Sequence, residues 1–145
     1  TATASTYNAT NCRTIIQNII SNIPAALQGN PEVKIFMGYP EYTIYINKLA
    51  TDNLYHKFGN EQAYGEVLAE NSPYMIKAVH GLDSTSKIVA CLPTNVFQGC
   101  DLENEDEKVD LFQFTDGTQN VGLNIQLKRG WQIAIPSEIV YYANA

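Results

Sequence analysis

The chain has 145 residues, of which 45% are hydrophobic, and its formal net charge at pH 7 is −6. Such a chain is long enough to bury the core of one globular domain without disulfides or a structural metal. Its fifteen acidic residues outnumber nine lysines and arginines, which argues against nucleic-acid binding and against docking on an anionic membrane. No apolar run approaches the roughly 20 residues needed to cross a bilayer, so no membrane partner is predicted.

Residues 1–10 are small and polar, and we predict that they form a flexible lead-in. A helix is predicted after them, because apolar side chains recur at helical spacing and form one broad stripe. Pro24 predicts a kink or a break within this stripe, and Gly29 and Pro31 end it. The apolar positions of the stripe are Ile15, Ile16, Ile19, Ile20, Ile23, Ala26 and Leu27.

The middle of the chain alternates short apolar segments with polar stretches. Pro40 and Glu41 suit the first turn of a second helix, although the residues of segment 42–46 also permit a strand. Residues 51–66 are polar, contain two glycines and are predicted to form a long loop or a small lobe. Residues 94–99 are expected to form a turn or a short helical segment. Strands are predicted at residues 33–37, 74–79 and 88–92.

The clearest β signal lies near the C-terminus. Residues 121–127 and 131–135 alternate apolar and polar side chains at the period of a half-buried strand. The tight turn between them, at residues 128–130, predicts an antiparallel β-hairpin. Together the elements predict an α+β fold, in which a mixed β-sheet is flanked by helices and followed by a C-terminal β-hairpin.

Signatures of catalysis are missing from the sequence. It contains no glycine-rich phosphate loop and no GxSxG elbow, so we predict a non-enzymatic protein without a cofactor. Cys12, Cys91 and Cys100 are an odd number without a CxxC pair, and we predict that they are reduced and buried. His56 and His80 have no partner signalled in the sequence and are interpreted as surface or capping residues.

An acidic run between residues 101 and 110 is the strongest candidate for a metal site, because Ca²⁺ takes six to eight oxygen ligands. The run lacks the spacing of an EF-hand and its central glycine. We therefore favour the interpretation that it is a solvated loop. The candidate calcium cluster consists of Asp101, Glu103, Glu105 and Asp106, with Glu107 and Asp110 nearby.

Three segments in this order resemble one family. The first is the isoleucine-rich helix that leads into residues 33–37 and the Pro-Glu-Tyr sequence at 40–42; the second is residues 87–102, and the third is residues 121–140. This arrangement resembles the C-terminal half of tailed-bacteriophage major capsid proteins with the Hong Kong 97-type fold. The resemblance implies that residues 11–145 form one axial-type domain, which surrounds the five-fold and six-fold axes of a capsid, with the last strand bordering the peripheral domain.

The resemblance also implies a function. The chain would be a fragment of a major head protein that self-assembles into the icosahedral shell enclosing the DNA, in a virion assembled in the host cytoplasm. Its partners would be other copies, packed head-to-tail into rings. The family's N-terminal arm, extended loop and spine helix have no counterpart here and would lie before Thr1. Without that helix, we expect an exposed apolar strip or an edge strand near the terminal hairpin.

The loop at 51–66 is preferred over the acidic run for contacts between subunits, because clustered carboxylates would repel each other near an axis. The contact candidates are Asn53, Tyr55, His56, Lys57 and Phe58. A non-catalytic carbohydrate- or peptide-binding module is the main alternative, since nine tyrosines could stack on a sugar or line an interface. A small enzyme with a novel site is the third interpretation.

Overall fold

The computed structural model describes residues 6–52, 64–99, 107–113 and 121–143. The chain divides into two compact units. The main unit comprises Thr1–Asn95 and Ile135–Ala145, and the ribbon unit comprises Val96–Ala134. The strands are β1 (Lys34–Met37), β2 (Glu66–Leu68), β3 (Met75–Ala78), β4 (Lys87–Cys91), β5 (Val96–Gly99), β6 (Glu107–Gln113), β7 (Val121–Leu127), β8 (Gly130–Ile133) and β9 (Val140–Ala143).

Two helices belong to the main unit, and both follow from local sequence signals. Helix α1 (Cys12–Ser21) buries Ile15, Ile16 and Ile19 of the apolar stripe. The chain then breaks at Pro24 and resumes as the 3₁₀ turn Ala25–Leu27, as predicted, because proline lacks the N–H that a continuing helix needs. Helix α2 (Tyr39–Thr51) has Pro40 in its first turn, as predicted. Segment 42–46 lies within this helix, so the helix prediction for it is confirmed and the strand prediction is wrong.

The main unit is built on a five-stranded sheet with the order β2-β3-β1-β4-β9. Strands β1 and β3 are parallel, and the other neighbouring strands are antiparallel. The predicted mixed sheet is therefore confirmed. At the two ends of the segment 51–66, for which a loop was predicted, Thr51 belongs to α2 and Glu66 to β2; residues 53–63 lie outside the described residues. The last apolar stretch of the chain forms β9, at one edge of the sheet.

One face of this sheet forms the core together with the helices. The register places Met37 between Ala78 and Ile88, and Ile88 opposite Tyr142, so these four side chains form one row across the sheet. All of them are buried in the same cluster as the isoleucines of α1. Burying each large apolar side chain contributes about 1.5–3 kcal/mol, so this two-layer packing is the main source of stability.

The opposite face of the sheet carries charged and half-buried side chains, and we call it the open face. Its central row runs from Glu66 through Lys77, Phe36 and Val89 to Tyr141. None of the described side chains in this row belongs to the buried core cluster. Adjoining positions of the open face are Lys34, Leu68, Met75 and Lys87.

The ribbon unit contains two antiparallel ladders, one joining β5 to β8 and one joining β6 to β7. A C-terminal hairpin is therefore present, but the predicted partners were wrong, because residues 121–127 pair with β6 and not with residues 131–135. The prediction of a turn or short helical segment at 94–99 holds only for the 3₁₀ turn Pro93–Asn95. It is wrong for Val96–Gly99, which form β5 and pair with β8.

Candidate assembly surfaces

The β6–β7 ladder exposes one apolar face. Its register pairs Val109 with Ile125 and Leu111 with Leu123. Val121, which is paired with Gln113, lies on the same face. These side chains are between 57% and 72% exposed. An isolated two-stranded ribbon is only marginally stable in water, and a contiguous apolar surface of this kind is typical of an interaction site. We name these five residues the apolar strip; the exposed strip expected from the sequence is confirmed.

The other face of the same ladder is mostly polar. Lys108 forms an ion pair with Asp110, with 3.2 Å between Nζ and Oδ2. The ring of Phe112 lies over Gly122 on the neighbouring strand. An aromatic ring that covers a cross-strand glycine shields the backbone where a side chain is missing. The ladder is therefore amphipathic across its two faces, and the apolar strip is the face that needs a partner.

Three rings stack beside the first turn of α2. The ring centroid of Tyr39 lies 4.2 Å from that of His80 and 6.3 Å from that of Tyr64. Asp83 joins this group by accepting hydrogen bonds from the Tyr39 N–H and from His80 Nδ1, at 2.7 and 2.8 Å. The hydrogen bond with His80 lowers the pKa of the Asp83 carboxyl. His80 and Tyr64 are exposed, so His80 is a surface residue as predicted.

A network of ion pairs fixes the end of α2. The Arg13 guanidinium donates to both carboxylate oxygens of Glu70, at 2.8 and 3.1 Å, and to Asp52 at 2.9 Å. Lys48 donates to the other oxygen of Asp52 at 2.8 Å. These hydrogen bonds, the one from Lys48 foremost, lower the pKa of the Asp52 carboxyl. The network ties α1 and α2 to the turn after β2, at the position where the predicted contact loop begins.

Several sites predicted from the sequence lie outside the described residues. They are the contact candidates Asn53, Tyr55, His56, Lys57 and Phe58, the calcium candidates Asp101, Glu103, Glu105 and Asp106, and Cys100. Cys12 and Cys91 are free and buried, as predicted, and burial raises the pKa of both thiols. Across the described ranges, no cluster of three or more histidine, cysteine or acidic side chains is arranged to hold a metal.

One pocket of about 310 Å³ lies in the main unit. Tyr141 contributes the one aromatic ring of its lining. Its lining residues are Asn22, Pro24, Ser137, Ile139, Val140 and Tyr141. Neither described helix has the length and apolar character needed to cross a membrane.

The main unit is a helix-covered mixed sheet, and the ribbon unit is inserted in the sequence between β4 and β9. No protein-family model matches the sequence, and no curated protein matches it. Among solved structures, one from Mycobacterium phage Che8 has a TM-score of 0.64 and 14% sequence identity, covering 97% of this chain and 51% of that chain. A virus-like particle from Pyrococcus furiosus has a TM-score of 0.51 and 11% identity, covering 97% of this chain and 54% of that chain.

These likenesses show that the chain shares its fold with a phage structure and with a virus-like particle. The predicted α+β fold class is therefore confirmed. The chain spans about half the length of each of these two proteins. Sequence reasoning missed the open face, because its lysines come from three strands and only the sheet register places them together.

Proposed function

We propose that the chain is part of a bacteriophage major capsid protein, a structural and non-enzymatic protein that self-assembles into an icosahedral head shell enclosing the DNA. The observation that carries this proposal is the fold match over 97% of the chain to a phage structure and to a virus-like particle. Its partners are other copies of itself, without sequence-specific contacts to nucleic acid and without a membrane. It functions in the virion after assembly in the host cytoplasm.

The chain's place in the subunit is part of this proposal. Residues 11–145 form an axial-type domain of the Hong Kong 97-type fold, and the last strand borders the peripheral domain. A long helix outside this chain, as the resemblance implies, covers the apolar strip in the intact subunit.

The intact protein provides the decisive experiment. We expect the full-length protein to form closed shells, visible by negative-stain electron microscopy, and this chain alone to form none. A full-length protein that stays monomeric, while a sugar or peptide raises its melting temperature, would instead support the binding-module alternative.

The apolar strip offers a matched pair of variants for the same assay. Leu111→Asp in the full-length protein places a charge under the covering helix, so we expect a large loss of shells. Gln126→Asp adds the same charge to the opposite face of the ribbon and is expected to leave the yield unchanged. Equal yields from the two variants would contradict a covered strip.

The contact candidates Asn53, Tyr55, His56, Lys57 and Phe58 remain our proposal for contacts around the capsid axes. The exposed rings of Tyr64 and His80 both stack on Tyr39, and Tyr64 belongs to the predicted loop 51–66, so these rings are further contact candidates. Deleting residues 53–63 from the full-length protein should reduce the number and stability of shells. Shells of normal yield and thermal stability after this deletion would show that the loop is not a contact.

A further inference from the structure

The open face is a basic surface on an acidic chain. Three of the nine lysines and arginines lie on it, although the whole chain has a net charge of −6. Among the described residues of the open face, Glu66 carries the one carboxylate. It forms an ion pair with Lys77, with 2.7 Å between Lys77 Nζ and Glu66 Oε1. The hydrogen bond from Lys77, together with the positive charges of Lys77 and Lys34, lowers the pKa of the Glu66 carboxyl.

The lysines surround an apolar centre. Lys34 lies opposite Met75 and Cys91, Lys77 is paired with Phe36, and Lys87 is at the other end of β4. Standard strand rise and spacing put the Cα atoms of Lys34 and Lys77 roughly 8 Å apart and those of Lys34 and Lys87 roughly 14 Å apart.

Between the lysines lie aromatic and aliphatic side chains that are incompletely buried. Phe36 and Val89 are half-buried, Tyr141 is 43% exposed, and Leu68 is 50% exposed. A face with an apolar centre and charges around it has the composition of a protein interface, where buried apolar area gives affinity and charge gives orientation.

We propose that the open face binds the acidic segment 101–107 of a second copy of this chain. This inference rests on the proposed function, because it names one surface and one partner segment for self-assembly. The seven-residue segment contains five carboxylates and one leucine. Fully extended, it reaches about 23 Å, which is enough to span the separation between Lys34 and Lys87.

The contact joins two different surfaces, so it is heterologous and repeats from copy to copy, as a ring requires. It also explains how several acidic runs avoid repelling one another in an assembly, since each one meets the lysines of its neighbour. Exposed ion pairs contribute only about 0.2–1 kcal/mol each. Charge therefore sets the partner and register, while Phe36, Val89 and Tyr141 supply the buried area.

A charge-swap experiment tests the proposal on this chain. The face variant carries Lys34→Glu and Lys87→Glu, and the segment variant carries Glu103→Lys, Glu105→Lys and Asp106→Lys, which makes segment 101–107 net positive. Sedimentation velocity at low salt should show concentration-dependent association of the wild-type chain, weakened at least about ten-fold in either variant alone. An equimolar mixture of the two variants should restore association, because every open face then meets a segment of opposite charge.

A control variant, Lys108→Glu with Lys128→Glu, changes the net charge by the same amount as the face variant. Its substitutions are at exposed positions in and beside the ribbon ladders, so it should associate like the wild type. Association that persists in both swap variants, as expected for contact through the apolar strip, would overturn the proposal. So would a mixture that fails to restore association.

Single-stranded DNA is the competing occupant of a face with lysines and aromatic rings. Binding of a short oligonucleotide by the wild type and its loss in the face variant, without any self-association, would assign the face to nucleic acid instead. If the charge swap fails while the full-length protein still forms shells, only this inference falls. If the swap succeeds but no shells form, the capsid proposal falls and the contact stands.

Discussion

The side-chain amide of Asn95 forms two hydrogen bonds with the backbone of Ile135. Nδ2 donates to the Ile135 carbonyl at 2.8 Å, and Oδ1 accepts from the Ile135 N–H at 2.7 Å. Asn95 is only 4% exposed. These are the residues at which the main unit is interrupted by segment 96–134, so one buried amide joins the two points where the chain leaves the main unit and returns to it.

Asn95→Ala should therefore be among the more costly single substitutions in the chain. It removes both hydrogen bonds and leaves a backbone donor and an acceptor of Ile135 without their partner, which costs roughly 2–3 kcal/mol of the free energy of unfolding. Urea denaturation measures this loss. Thr94→Ala, at the exposed neighbouring position, is the control and should change the free energy by less than about 0.5 kcal/mol. Equal stability of the two variants would disprove the role of the amide.

Gly38 and Gly81 offer a second matched pair. A Cβ atom at Gly38 would lie 2.5 Å from Glu41 Oε2 and 2.9 Å from the Leu82 carbonyl oxygen, whereas a Cβ at Gly81 would meet nothing within 4 Å. Gly38→Ala forces the first turn of α2 away from the backbone beside it, and we expect a loss of roughly 1–3 kcal/mol. Gly81→Ala should be close to neutral by thermal denaturation. A neutral Gly38→Ala would show that these segments are not packed closely.

Acid should weaken the ion-pair network around Asp52. Lys48 and Arg13 lower the pKa of its carboxyl below the ordinary 3.8, so the unfolded chain takes up the proton first as the pH falls. The stabilisation is fully present above the unfolded pKa and is lost as the pH drops through the folded pKa. The stability difference between the wild type and Asp52→Asn should thus be largest near neutral pH and shrink as the pH falls below about 5 and on through the folded pKa.

Urea denaturation across that pH range measures the difference. Asn47→Ala, a non-ionisable exposed position on the same helix, is the control and should show an offset that stays constant with pH. An Asp52→Asn difference that is equally constant would mean that the carboxylate gains nothing from its two cationic neighbours.

Local patterns predicted the elements whose signals are local. The isoleucine stripe of α1, its break at Pro24, and strands β1, β3 and β4 all follow from periodicity and from bounding glycines and prolines. Strand β2 was missed, because its three residues are too few to show a period, and it is defined by its pairing with β3.

The choice of partner strand was the part that the sequence could not supply. Residues 121–127 and 131–135 were both recognised as strands, yet the first pairs with β6, the strand directly before it, and the second belongs to β8, which pairs with the distant β5. A period-two pattern specifies which side chains share a face, but it leaves the partner strand open. The same reason hid the apolar strip as one surface, since its residues come from both β6 and β7.

The contact of Phe112 with Gly122 gives a direct test of the β6–β7 register. A Cβ atom at Gly122 would lie 2.5 Å from Phe112 Cζ, so the ring covers the Gly122 Cα. We expect the Hα protons of Gly122 to be shifted upfield in NMR spectra by the ring current, and Phe112→Leu should return them to ordinary values. Leu111→Val, whose side chain lies on the opposite face, should leave them shifted. Gly122 protons at ordinary positions in the wild-type chain would mean that β6 and β7 pair in another register.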